Sequence, residues 1–431
     1  MMHVKRRQSV VGTIAAVFLL LGISIFPIVS SAQDPVELLI WDQFTGPENE
    51  VVNDIYAKFK DQTGITIRRE SFDTDQMRQT VNTALSSGSG PDIIFYDAGP
   101  GYAGVLADAG LLLPLDDLAT QYGWRDRILP TALTGATIND QLYGMPLQLD
   151  LIGTYYNKTI FDEEGFTPPT TVDELLTFCK QASDKGYIPL AFGNNPGWQG
   201  FHQFSMLAND MLGPEAMGQL LLENQGTWNS PQITTAIKTF FVDMQSAGCF
   251  NEDPNALMYD DANSLFYNGD ALMTPTGNWL VGDIAENMPD YEVAMMPFPT
   301  PTGAQGQYWP SGIGSAFFVS QASQHQAEAG QFIDYLFSPA IAQRWVGEAN
   351  FFLPMDVDTS SLQLTPLFQS VQDVLLSAAA GQTTLGYNVD VLAPAAFNDT
   401  LQNGLQAVLL GDLTPEELAA NLQTTWEQSQ T

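Results

Sequence analysis

Short apolar runs alternate with stretches of helical period along the chain. Val36 to Trp41 reads as a strand, and the polar turn Asp42 to Glu50, with Gly46 and Pro47, follows it. Val51, Val52, Ile55, Tyr56 and Phe59 then recur at helical spacing until Gly64 stops the helix. Ile65 to Arg69 alternates apolar and polar positions and predicts a second strand. Asp75 to Leu85 predicts a helix, and Pro91-Asp92 leads into a buried strand, Ile93 to Tyr96. Further on, Thr171-Val172-Asp173-Glu174 is a capping box that opens a helix through Ser183. Tyr187 to Phe192 and Ala271 to Thr274 are strands. Ser230-Pro231, Asn278, Ser338-Pro339 and Thr414-Pro415 open helices, three of them with proline at the first position. Strands alternating with helices predict parallel β-α-β units and an α/β fold.

The chain has 431 residues, enough for two domains that each bury a core. No low-complexity linker separates them, so several chain crossings are expected to join two lobes. At the N-terminus, basic Lys5, Arg6 and Arg7 precede an apolar stretch from Val10 to Ile28 and the small residues Ser30-Ser31-Ala32. That order predicts a signal peptide over residues 1–32, cleaved near Ala32, and a periplasmic or extracellular mature protein. A membrane anchor is the rival reading of the same stretch. No cysteine lies near the exit, so a lipid-attached N-terminus is not expected.

The net charge of -34 argues against nucleic acid, which needs a basic face, and against an anionic membrane surface. It favours solubility, and a monomer is expected. Cys179 and Cys249 both sit among apolar neighbours. Either an exported disulfide or two buried thiols fits them.

Several stretches come in a familiar order: Leu39-Ile40-Trp41, Thr63-Gly64-Ile65, Gly88 to Ile94 (GSGPDII), Gly110 to Leu115 (GLLLPL) and Leu142 to Pro146 (LYGMP). Tyr155-Tyr156-Asn157-Lys158, Phe266 to Met273 (FYNGDALM) and Gly277-Asn278-Trp279 follow. With them the chain resembles extracellular solute-binding protein family 1 of ABC transporters, the sugar-binding, maltose-binding-protein-like group. The resemblance implies a two-lobed periplasmic-binding-protein-like type II fold with the ligand cleft between the lobes. It implies an N-terminal lobe of residues 33–148 plus 294–337 and a C-terminal lobe of 149–293 plus 338–431. Crossings are expected near Leu147 to Thr154, Tyr291 to Pro297 and Ser338. The implied partners are a carbohydrate ligand and the permease subunits of an ABC importer. No cofactor and no catalysis are expected.

A sugar presents apolar ring faces and hydroxyl edges, so aromatic rings and fixed acceptors beyond strand ends are the candidates. Trp279 matches the family's stacking tryptophan. Asp150 aligns with an acidic ligand contact, and a carboxylate within an apolar strand needs partners. Asn194 and Trp198 lie in the loop after Tyr187 to Phe192. Tyr96 and Asp97 end the Ile93 strand, and Asp42, Gln43 and Phe44 follow the first strand. Trp309 and Ser311, placed in a loop before Gly312, and Tyr387 and Asp390 from the C-terminal part complete the set. The loop after Asp97 reads Ala98-Gly99-Pro100-Gly101, which lacks the Asp-Arg contact pair found in the maltose-binding group, so maltose itself is not implied.

Only three histidines occur, His3, His202 and His325, with no HExxH, no cysteine cluster and no P-loop. The adjacent pairs Glu163-Glu164 and Asp260-Asp261 read as solvated faces, and Glu416-Glu417 as part of a capping box begun by Thr414. Two other readings stay open. One is a secreted glycoside hydrolase using two of Asp42, Asp97 and Asp150. The other is a binding protein for a polyamine, which aromatic rings and acids can also hold.

Overall fold

The alternating pattern builds two sheets. A computed structural model describes residues 36–430; the expected signal peptide lies outside the described residues. The first sheet has the order Thr66–Ser71, Glu37–Asp42, Ile93–Asp97, Ser315–Val319, Gly144–Pro146. Its first three strands are parallel, as their connecting helices require. Ser315–Val319 returns antiparallel between Ile93–Asp97 and Gly144–Pro146. The second sheet has the order Leu385–Tyr387, Trp309–Ile313, Leu149–Asn157, Ala271–Gly277, Ile188–Leu190, and Val293–Met296 also pairs with Leu149–Asn157.

Local signals decide the helix ends. Gly64, at φ 78°, closes the helix Asn49–Thr63, where a left-handed residue can bond the last turn. Thr171 and Thr414 each complete a capping box, with Glu174 and Glu417, at the helices Val172–Asp184 and Pro415–Ser429.

One apolar core lies against the first sheet and gathers Phe44, Trp124, Phe317, Phe332 and Trp345. The second sheet carries two, one around Phe178, Phe204, Trp228, Phe240 and Leu405, the other around Tyr155, Phe266, Phe352 and Phe368. No described helix is long and apolar enough to cross a membrane.

The chain first crosses from the first sheet to the second between Pro146 and Leu149. The second crossing differs. Val293–Met296 and Trp309–Ile313 both pair with Leu149–Asn157, so the chain stays in the second sheet beyond 294 and returns only at Gly314. Trp309 and Ser311 are therefore strand residues rather than loop residues. The helix Pro339–Gly347 still packs Ile341 and Trp345 into the first core, so the third crossing falls near Ala349 to Phe352 rather than at Ser338. There Leu149 N donates to Phe352 O at 2.8 Å, which ties the first crossing to the third.

Candidate functional site

The crossings floor a cleft of about 580 Å³, within the usual size range of small-molecule sites. On one side stand Gln43 and Phe44 after the first strand, Asp97 at the end of Ile93–Asp97, and Asp75 and Arg78 on the helix Thr74–Ser86. On the other stand Trp198, His202, Tyr259, Trp279, Asp283 and Asp390. Gln148, Asp150, Gly314 and Asn350 come from the crossings themselves.

The far wall is an aromatic cluster. The Trp198 ring lies 4.8 Å from Tyr259 and 5.5 Å from His202, and His202 lies 5.1 Å from Trp279. Trp279 Nε1 donates to the Tyr259 hydroxyl at 2.7 Å, which fixes both rings. The motif Gly277-Asn278-Trp279 explains the placement. A Cβ on Gly277 would overlap the Trp279 ring, so only glycine lets the ring fold back. The Asn278 side chain accepts from Leu151 N at 3.1 Å and donates to Leu149 O at 3.0 Å, pinning this turn to the crossing strand.

Arg78 reaches across from the near wall. Its Nε and Nη2 hold Asp97 at 2.9 and 3.0 Å, a fork-on-carboxylate pair. The guanidinium lies 4.7 Å from the Tyr102 ring and 5.8 Å from the Trp198 ring. The Tyr102 hydroxyl donates to Asp390 Oδ2 at 3.3 Å, a direct bond between segments anchored in different sheets.

Asp150 and Asp390 are 5% and 4% exposed, and one oxygen of each, Oδ1, has no hydrogen-bond partner. Burial raises the Asp150 carboxyl well above its ordinary range, helped by the charges of Asp390 and Asp97. Burial lifts Asp390 to about 6 against the pull of Arg78, and lifts Asp283 to about 7 with help from Glu48. Burial, with Arg78, pushes His202 down to about 3, so the imidazole is neutral.

These shifts carry a stability prediction. Asp283 and Asp390 bind protons more tightly folded than unfolded. Their contribution is complete below the ordinary value of 3.8 and is lost as pH rises through about 6 and about 7. Scanning calorimetry of the ligand-free protein should show a melting temperature that falls from pH 5 to pH 8. Asp283→Asn should flatten that slope. A slope equal to that of the parent chain would contradict a raised Asp283.

Of the residues expected from sequence, Trp279, Trp198, Asp150, Asp97, Gln43, Phe44 and Asp390 line the cleft. Phe44 does so mainly as core, stacked on Phe95 at 4.4 Å and 2% exposed. The others lie elsewhere. Asp42 is fully buried and bound to Arg69 at 2.6 Å. Tyr96 is 5% exposed and packs edge-on against Tyr102. Asn194 is buried, with its amide donating to Asn255 and its oxygen accepting from Gly200 N. Trp309 packs against the Phe352 core, over Gly153. The Ser311 hydroxyl donates to the Asp150 backbone carbonyl at 2.7 Å, and the Tyr387 ring abuts Gly218.

Arg78, His202, Tyr259, Asn263 and Asp283 were not anticipated, because they stand on helices rather than at strand ends. Asp260, read as a solvated face, also lines the cleft. One signal was available. The helix Gln199–Leu212 buries polar His202, Gln203, Asn209 and Asp210 among apolar residues, a pattern that needs partners or a ligand.

The model of the family described as bacterial extracellular solute-binding protein matches residues 42–343. The multiple sugar-binding protein of Streptococcus mutans is 29% identical over 216 residues, 48% of this chain and 50% of that protein, so the match spans half its length. The alpha-glucosides-binding periplasmic protein AglE of Rhizobium meliloti is 21% identical over 420 residues, 90% of this chain and 87% of that one. A protein solved in work on xylan utilization by Caldanaerobius polysaccharolyticus has the same fold, with a TM-score of 0.81, 24% identity, and 90% and 99% of the two chains covered. With two sheets flanking a cleft at the chain crossings, and a family match over most of its length, this chain belongs to the bacterial extracellular solute-binding proteins.

Proposed function

We propose that this protein captures a sugar or oligosaccharide between its lobes, outside the cytoplasm, and delivers it to the permease subunits of an ABC importer without altering it. The observation that carries this reading is the aromatic wall of Trp198, Tyr259 and Trp279 in one cleft with the buried acceptors Asp150 and Asp390. Ring faces stack on such a wall, and hydroxyls donate to such carboxylates. Relatives named for sugars support the same ligand class. The Cys179–Cys249 disulfide supports an oxidising compartment, in keeping with a signal peptide cleaved near Ala32 and a soluble monomer that does not bind nucleic acid.

Hydrolysis is disfavoured as the alternative. A glycosidase needs two free carboxyl groups facing each other across the bond. Asp42 lies outside the cleft and Asp97 is held by both arms of the Arg78 fork, so of the three acids named from sequence only Asp150 lines the cleft without a cationic partner. Calorimetry across mono- and oligosaccharides, followed by chromatography of the recovered sugar, tests the reading. Saturable binding with the sugar returned intact is expected; cleaved sugar would replace a carrier with an enzyme.

Trp279→Ala should weaken sugar binding by about 1–3 kcal/mol, the scale of one aromatic anchor. Trp198→Ala should act in the same direction. Unchanged affinity in both, with a lowered ligand-free melting temperature, would make the pair core residues instead. Ligand bridging both lobes should also favour closure by its differential affinity, read as a smaller radius of gyration in small-angle scattering.

A further inference from the structure

The cleft is short of positive charge. Eight carboxylates line it, against one cationic side chain among the described residues, Arg78, and that one is already bonded to Asp97. Two of the acids are more than surface charge. Asp150 and Asp390 are each over nine-tenths buried, line the cleft, and keep an oxygen without a partner. An unmet buried acceptor is costly, so such a pair implies a ligand that supplies donors. Space for one of them is built in. A Cβ on Gly314 would overlap Asp150 Oδ2, so the carboxylate occupies room that a side chain at this crossing would take. His202, in the aromatic wall of the same cleft, has an unpartnered Nδ1 and is neutral, so it adds no competing cation.

Burial and their mutual charge favour the protonated forms of the two acids, and a neutral hydroxyl does little to offset that cost. An ammonium offers three donors and a full charge, and so satisfies both acids at once. A metal ion fits less well, since no described group of three or more acidic, histidine or cysteine side chains is arranged to hold one.

We propose that the ligand is an amino sugar or an oligosaccharide of amino sugars, bound with a protonated amine between Asp150 and Asp390 and its ring faces on Trp198, Tyr259 and Trp279. This rests on the sugar-carrier reading and narrows it. Specificity then comes from the carboxylate pair, while the aromatic wall supplies ring-face affinity common to amine-bearing and neutral sugars.

The test is calorimetry at pH 7 with matched probes: glucosamine against glucose, fully deacetylated chitotriose against cellotriose, and spermidine as an amine with no ring. The amine-bearing sugar of a pair should bind at least tenfold more tightly than its neutral match. Asp150→Asn should weaken both members of a pair, the amine-bearing sugar by the larger factor, so that most of the preference is lost. Asp390→Asn provides a second reading should the first variant fold poorly, as judged by its melting curve. Neutral sugars binding as tightly as amino sugars would overturn the amine proposal and leave the sugar carrier standing. Spermidine binding with no sugar binding would overturn the sugar reading itself, and no binding by any probe would remove both.

Discussion

Asp42→Ala should cost about 3–5 kcal/mol of folding stability and leave ligand affinity unchanged, because Asp42 is one half of a buried ion pair. Its carboxylate accepts from Arg69 Nε at 2.6 Å, Arg69 Nη2 at 2.9 Å and the Ser71 hydroxyl at 2.8 Å. Arg69 in turn donates to Phe44 O at 2.7 Å and to Asn53 Oδ1 at 2.8 Å, with only 9% of its side chain exposed. Removing the carboxylate strands a guanidinium away from water. The loss therefore comes from the partner left behind more than from the bond deleted. Asp42→Ala with Arg69→Met should recover much of the stability, since the uncompensated charge is gone. Urea unfolding of both variants, beside calorimetry with a bound sugar, checks this. Normal stability with lost affinity in Asp42→Ala would return Asp42 to the binding site.

Asp42 and Asp97 show what the sequence could and could not say. Both end a parallel strand, at the edge where α/β sheets hold ligands, and the pattern reads them alike. The neighbouring strand puts Arg69 beside Asp42 and closes it off, whereas Arg78, on a helix, holds Asp97 at the cleft. Such partners are distant in the chain and follow no period. Signals within a few residues were legible. The capping boxes at Thr171 and Thr414, the Gly64 stop and the Gly277-Asn278-Trp279 turn all appear where the residues dictate. The return crossing was not legible. Val293–Met296 and Trp309–Ile313 fit either sheet by pattern, and only pairing with the long strand Leu149–Asn157 decides between them. Arg78 sits next to Met77, on the buried face of its helix, so its position at the cleft follows from packing rather than from any motif.

The second large effect concerns Cys179 and Cys249, which the sequence left open between a bridge and two buried thiols. The structure joins them, with Cα atoms 5.0 Å apart, and neither side chain is exposed. Cys179 stands on the helix Val172–Asp184, and the Cys249 carbonyl accepts from Leu190 N at 2.9 Å at the edge of the second sheet. The bond therefore ties that helix to the sheet it covers. It spans a separation of 70 residues, for which loss of unfolded-chain freedom corresponds to about 4 kcal/mol. The double variant Cys179→Ala, Cys249→Ala should lose stability on that scale. For a domain of this size that is a fall in melting temperature of about 8–16 °C. Sugar affinity at low temperature should match the parent chain, because neither cysteine lines the cleft. The two single variants should lose about as much as the double, since either one opens the bridge. A double variant that melts with the parent chain would mean that the constraint contributes nothing to the folded protein. A double variant that melts lower and also binds more weakly would mean that the bridge holds the aromatic wall of the cleft as well as its own helix.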